Sequence, residues 1–223
     1  MTDARTEGLT DEQARTAELV RQSLSPETAA TFRERLDTQA DWLRTAIEEG
    51  QMDNADFAVG LELEAYAVAD GETTDPRLGR LPEAVFEEPA ANKELGLHNV
   101  EINTEPTLLG EAGLAAQADE IRERTAATRA AATAHDREIV LDAMWTLPPR
   151  EGAADYLSAT TNHDDIVFAD NMRQYPRYVA IDNDAIRHAG GEIGFSVPGV
   201  EATFPSILFE SLATSIQPHL QIP

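Results

Sequence analysis

The residues of this chain that could do chemistry come in pairs two positions apart. Residues 57–66 read FAVGLELEAY, with Glu62 and Glu64 separated by a single leucine. Residues 98–106 read HNVEINTEP, with Glu101 and Asn103 in the same relation, and residues 215–223 read SIQPHLQIP, with His219 and Gln221. In an extended strand, residues two apart project to the same side. Each stretch therefore sets oxygen or nitrogen ligands on one face and aliphatic residues (Leu61 and Leu63, Val100 and Ile102, Leu220 and Ile222) on the other. Neighbouring carboxylates repel one another, and a cation between them reverses the sign. If the three strands join one sheet, one face packs on helices and the other is a polar floor. Its carboxylates, amide and imidazole suit a hard divalent cation such as Mg²⁺, with phosphate as the usual companion. A lone ExE pair is most often the wet face of an antiparallel sheet; three such pairs together strengthen the metal reading, with the wet face still the alternative.

The elements that must position these pairs follow from caps and periodicity. Residues 1–50 read as helical. Thr10-Asp11-Glu12-Gln13 is a capping start for a helix through about Leu24. Ser25-Pro26-Glu27 starts a second helix with proline in its first turn. That helix carries Phe32, Leu36, Leu43 and Ile47 on one stripe, and Gly50 ends it. The pair is expected to pack together and cover another element. The first strand runs over about 57–68, with Asp70-Gly71 as a turn signal. Residues 72–96 form a polar connection with a short helix around 83–88. The second strand, about 98–103, closes at Glu105-Pro106. A long helix over about 111–135 carries a weakly apolar stripe of Leu114, Ala118, Ile121, Thr125, Thr128 and Ala132, suited to the back of a sheet.

Residues 138–147 are expected as a further strand, stopped by Pro148-Pro149. Residues 150–172 read as irregular, and His163-Asp164-Asp165 within them as a turn or helix cap outside the site. A helix is expected over 176–188, ended by Gly190-Gly191, with Arg173, Arg177 and Tyr178 near its start. Arginine there does not serve the helix dipole; it is equally a surface salt bridge or a clamp on a carboxylate or phosphate. Residues 192–197 and 204–210 are strand candidates on either side of a Pro198-Gly199 turn.

Composition narrows the function. The chain has 223 residues, 41 acidic against 17 basic, and a formal net charge of −24. Lys93 is the sole lysine. The acids are dispersed rather than gathered in a tail, which suggests a halophilic protein folded in molar salt, where the Debye length falls to about 3 Å. The same charge argues against nucleic-acid binding, since no basic patch is present to neutralise phosphates. There is no cysteine, so thiolate chemistry and disulfides are excluded. No apolar run approaches the ~20 residues of a membrane span, and the polar, acidic N-terminus does not read as a signal peptide. A cytoplasmic location and no membrane partner are expected. The chain stops directly after a strand carrying site residues, from which a C-terminally incomplete chain is expected.

The motifs resemble a known family. Gly60-Leu61-Glu62-Leu63-Glu64, then Asn99-Val100-Glu101-Ile102-Asn103-Thr104 with Pro106, then Thr214-Ser215-Ile216-Gln217 leading to His219-Leu220-Gln221, are similar in order and spacing to the glutamate–cysteine ligase type 2 family. That family is related to carboxylate–amine ligases and the glutamine synthetase superfamily. The resemblance, of a haloarchaeal type, covers roughly 55–223 and leaves 1–54 as an N-terminal helical segment packing on the domain. It implies an α+β fold, a curved, mainly antiparallel sheet backed by helices, like the catalytic domain of glutamine synthetase and guanido kinases. It implies ATP-dependent joining of the γ-carboxylate of glutamate to an amine, cysteine in the named enzymes of glutathione biosynthesis, through an acyl phosphate. The cofactor is Mg²⁺ or Mn²⁺, with ATP as co-substrate; a homo-oligomer is allowed. Carried onto this chain, Glu62, Glu64 and Glu101 are the catalytic and metal carboxylates, and His219 joins them at the metal. Asn103, Thr104, Arg173, Arg177 and Gln221 are candidates for substrate contact. Family members continue beyond the HxQ strand, so the competing expectation is a truncated, non-catalytic relic or binding module that retains the fold.

Overall fold

One long strand organises the sheet that holds the paired residues. The computed structural model describes residues 10–69, 75–87 and 90–223; the Asp70-Gly71 turn lies outside them. In chain order the helices and strands are α1 (Asp11–Ser23), α2 (Pro26–Glu48), β1 (Ala58–Ala69), β2 (Arg77–Leu78), β3 (Asn92–Lys93), β4 (Asn99–Asn103), β5 (Thr107–Leu108), α3 (Glu111–Thr133), β6 (Arg137–Val140), α4 (Ala153–Ser158), β7 (Thr160–His163), β8 (Ile166–Ala169), α5 (Pro176–Ala189), β9 (Ile193–Val197), β10 (Val200–Phe204) and β11 (Ile216–Gln221). Short 3-10 turns span Glu83–Phe86 and Ile207–Leu212. The chain divides into two compact units, Met1–Asp53 with Ala154–Phe209, and Asn54–Ala153 with Glu210–Pro223. The class is α+β with antiparallel pairing.

The second unit contains a 7-stranded sheet of path β11-β1-β4-β3, to which β2, β5 and β6 add by pairing with β1. All of these pairings are antiparallel. β1 can serve as spine because its aliphatic sequence tolerates partners on both edges. It pairs with β11 over Ala58–Leu63 and with β4 over Glu62–Tyr66. The three stretches with paired polar residues are thus adjacent strands of one sheet. On the apolar face, Ala65 and Ala67 of β1 meet Val100, Ala132 and Ile139 in the buried core, with Leu81, Val85 and Ala91 from the connection. The small alanines on β1 and α3 let the helix lie close to the sheet, where dispersion contacts are dense. Leu61 and Leu63 share that face but are only half-buried.

The front of α3 is anchored by polar bonds rather than by its expected stripe. Leu114 is 50% exposed, whereas Gln117 is 1% exposed. The Gln117 amide donates to Glu105 O at 2.6 Å and to Thr107 Oγ1 at 3.1 Å. Gly113 is required here, because a Cβ would stand 1.9 Å from the Leu108 carbonyl oxygen.

Residues 138–147 do not form one strand. The ladder stops at Val140, where the Asp142 carboxylate accepts the Ala143 N–H at 2.9 Å and competes locally with sheet pairing. Met144 makes only an isolated bridge to Ala213.

In the first unit, the Thr10–Gln13 capping box and the Ser25 cap with Pro26 start α1 and α2 as expected. α1 buries Thr16, Ala17 and Val20 and packs on α5 and β8. α2 behaves differently. Among the described residues it buries Ala46 alone, and its stripe faces outward.

Residues 150–172 are more regular than expected, holding α4 and the β7–β8 hairpin. Asp164 adopts φ +52 at the hairpin turn, as tight two-residue turns require. Asp165 accepts from Arg21 Nε at 2.8 Å, so the HDD run is a turn tied to α1. Asn183 of α5 exchanges two 2.8 Å bonds with the Val167 backbone, imitating a neighbouring strand for β8. Gly190 caps α5 in the left-handed conformation.

The β9–β10 hairpin turns at Gly199, φ +87. Its second strand is Val200–Phe204, not 204–210. Beyond it, buried Asp182 accepts from Ser206 Oγ at 3.0 Å and Ile207 N at 2.8 Å, bending the chain into a 3-10 turn.

Candidate functional site

The register of β1 decides which polar residues meet. Glu64 lies opposite Glu101, and Glu62 opposite Asn103, on the β4 side. On the β11 side, Glu62 lies opposite Gln217 and Gly60 opposite His219. Period-two alternation puts all of these on one face. His219 leans along the ladder to place Nε2 2.8 Å from Glu62 Oε2. Glu64 is held by two donors, Ser215 Oγ on Oε2 and Gln217 Nε2 on Oε1, each at 2.9 Å.

A further carboxylate joins from β3. Asn92 pairs opposite Glu101, so two residues on, at the end of that short strand, Glu94 returns to the same face. Carboxylate oxygens of Glu62, Glu64 and Glu94 all lie within 4.8 Å of one another, and all three residues are half-buried. Glu101 sits among them, hydrogen-bonded to Glu94, Asn103, Glu62 and Asn92; Asn103 Nδ2 donates to its Oε1 at 2.5 Å. Asn103 Oδ1 is buried with no hydrogen-bond partner.

The electrostatics follow from crowding acids in a partly dry place. Burial pushes Glu94 up to about 7, helped by its hydrogen bond to Glu101 and by the charges of Glu101 and Glu64, and opposed by the Leu95 N–H. Burial also raises Glu62, with the bond and charge of Glu101 adding and His219 opposing. Burial acts in the same direction on Glu101, but its four hydrogen bonds outweigh it and hold it below the ordinary carboxylate range. Below pH 7, then, Glu94 holds a proton that it can donate to Glu101, whose own value is lowered. The set offers hard oxygen donors, excess negative charge and an unpartnered amide oxygen, which fits a divalent cation such as Mg²⁺ or Mn²⁺.

The other expected residues are placed differently. Thr104 is 9% exposed. Its hydroxyl accepts the Leu61 N–H at 2.8 Å and donates to Gln117 Oε1, so it ties β1 to α3. Gln221 lies opposite Ala58 at the open end of β11, one alternation beyond His219. Arg173 and Arg177 belong to the other unit. Arg173 is 4% exposed; Arg177 stacks on the Tyr178 ring at 4.5 Å and donates to its hydroxyl at 2.7 Å.

Three residues escaped the sequence reading: Ser215 and Gln217, which hold Glu64, and Glu94. Gln217 was legible, since it precedes His219 by two. Glu94 carried no local signal, because a two-residue strand has no readable period.

Among the described residues, no helix is long and apolar enough to cross a membrane. No curated protein and no solved structure matches the chain. The family profile of glutamate-cysteine ligase family 2 matches residues 58–223, a span that begins with β1 and contains the whole carboxylate floor. The chain therefore belongs to glutamate-cysteine ligase family 2, a family of carboxylate–amine ligases.

Proposed function

We propose that this chain is an ATP-dependent ligase that joins the γ-carboxylate of glutamate to an amine. The observation that carries the reading is the convergence of Glu62, Glu64 and Glu94 oxygens within 4.8 Å on a sheet floor, inside a segment that matches a ligase family. Glu62, Glu64, Glu94 and Glu101, with His219, would hold Mg²⁺ or Mn²⁺. Such an ion offsets phosphate charge and aligns the transferring group.

The chemistry proceeds in two transfers. A γ-carboxylate oxygen of glutamate attacks the terminal phosphorus of ATP; the bond to the bridging oxygen breaks and ADP leaves. The amine nitrogen then attacks the acyl carbon, phosphate departs with the C–O electron pair, and the nitrogen loses a proton to form the amide. The protein's contribution is positioning and charge. Ser215 and Gln217 fix the Glu64 carboxylate, and His219 fixes Glu62. Asn103 Oδ1 is free to accept an N–H from substrate, and Gln221 stands at the exposed end of the same face. Thr104 keeps β1 in place beneath the site.

The test is calorimetric titration of ATP into the chain in molar KCl, with and without Mg²⁺, beside Glu62→Gln. Binding that requires both the metal and Glu62, followed by phosphate release on adding glutamate and an amine panel, supports the reading. Binding unaffected by Glu62→Gln removes the floor as the nucleotide site.

A further inference from the structure

The helix α2 has an apolar stripe that none of the described residues of its own unit covers. Phe32, Leu36, Leu43 and Ile47 are 59%, 46%, 43% and 59% exposed, and Trp42 beside them is 60% exposed. At 100° per residue the four stripe residues fall within about 60° of one another around the helix. Exposed aromatic and aliphatic residues aligned this way are uncommon on a free surface. The helix lies outside residues 58–223, the segment shared with the family.

The spacing of the stripe identifies its partner. Phe32 and Ile47 are equidistant in sequence from the midpoint between Gln39 and Ala40, and so are Leu36 and Leu43. A stripe with this internal symmetry is self-complementary when a second copy is laid antiparallel across a two-fold axis at that midpoint, which is the condition for an isologous contact. A heterologous partner imposes no such symmetry. In this arrangement Phe32 meets Ile47 of the second copy and Leu36 meets its Leu43. On the flanks, Arg35 comes beside Trp42 of the second copy and Arg33 beside its Glu48, pairing a cation with an aromatic face and with an opposite charge.

Covering the two aromatics and three aliphatics removes on the order of 500 Å² of apolar surface per copy, most of the roughly 800 Å² that a stable interface buries per partner. Flanking stems supply the rest. Molar salt screens the repulsion between two chains of charge −24 and leaves apolar contact intact.

We infer that the chain is a homodimer built on an antiparallel α2–α2 contact centred between Gln39 and Ala40. The test measures mass by light scattering after size exclusion in molar KCl. A species of about twice the 24.3 kDa chain mass is expected for the wild type. The double variant Leu36→Glu/Leu43→Glu, altered only at exposed positions, should halve that mass with unchanged far-UV circular dichroism. The chain has no cysteine, so single thiols report geometry. Gln39→Cys, on the stripe near the axis, should give dimers with a short bis-maleimide, whereas Thr38→Cys, on the far side, should not. A monomeric wild type overturns the inference. So does a dimer that survives the double variant, or equal cross-linking from the two thiols.

Discussion

Replacing Glu94 by glutamine tests the part of the site that no motif announced. Glu94 titrates at about 7 because it is partly buried beside Glu101 and Glu64. A cation that takes its oxygen must displace the proton. The raised value means that the free protein holds the proton below pH 7 and has lost it well above. Metal binding is therefore weak at low pH and strengthens as pH rises, levelling off above about pH 8. Between pH 6 and pH 8 the ionised fraction of a group at pKa 7 changes about tenfold, so the dissociation constant for Mn²⁺ should fall about tenfold, or ~1.4 kcal/mol. Glu94→Gln keeps the shape and hydrogen-bonding of the protonated side chain but cannot ionise. It should bind Mn²⁺ at pH 8 roughly 10- to 100-fold more weakly, as loss of a ligating group does, with the pH 6 to 8 slope largely gone. The assay is Mn²⁺ titration by electron paramagnetic resonance in molar KCl at several pH values. Repeating it in a His219→Asn background separates the carboxylates from the imidazole beside Glu62. An unchanged affinity and slope in Glu94→Gln would refute the assignment of the proton to Glu94 and the place of its carboxylate at the metal.

Other perturbations test the scaffold. Asp182 is fully buried, and burial raises it to about 6 against the bonds from Ile207 and Ser206. Its folded value exceeds its unfolded one, so its stability contribution is present below about pH 4 and is lost as pH rises through 6; a shift of this size is on the order of 3 kcal/mol. Asp182→Asn should flatten that dependence, read as hydrogen exchange in α5 and residues 206–212 between pH 4 and 8; an unchanged slope would assign the effect elsewhere. Thr104→Val leaves the Leu61 N–H and Gln117 Oε1 without their partner and should cost about 1–3 kcal/mol in urea unfolding, whereas equal stability would free Thr104 for a role at substrate. Dialysis from molar KCl into dilute buffer should loosen a chain of net charge −24, because self-repulsion is no longer screened; identical circular dichroism in both would count against salt adaptation.

Much of the floor was legible because strand alternation is local. The two-residue period alone placed Glu62 with Glu64, Glu101 with Asn103, and His219 with Gln221 on one side of their strands. Helix starts at Thr10 and Ser25 were equally readable, since a cap is a bond between residues three apart. The aliphatic run at 138–147 misled for the same reason: it has strand composition, but Asp142 bonds its own neighbour and partners exist only as far as Val140. What the chain could not declare was register and coverage. That Glu64 faces Glu101, that a two-residue strand brings Glu94 into the group, and that the stripe of α2 stays exposed all depend on which segments meet across long sequence separations. Side-chain identity and spacing determine what a segment can present. Only the tertiary packing decides what it is presented to, because the free energy of burial and of crowded charge belongs to the neighbours brought together and not to either one alone.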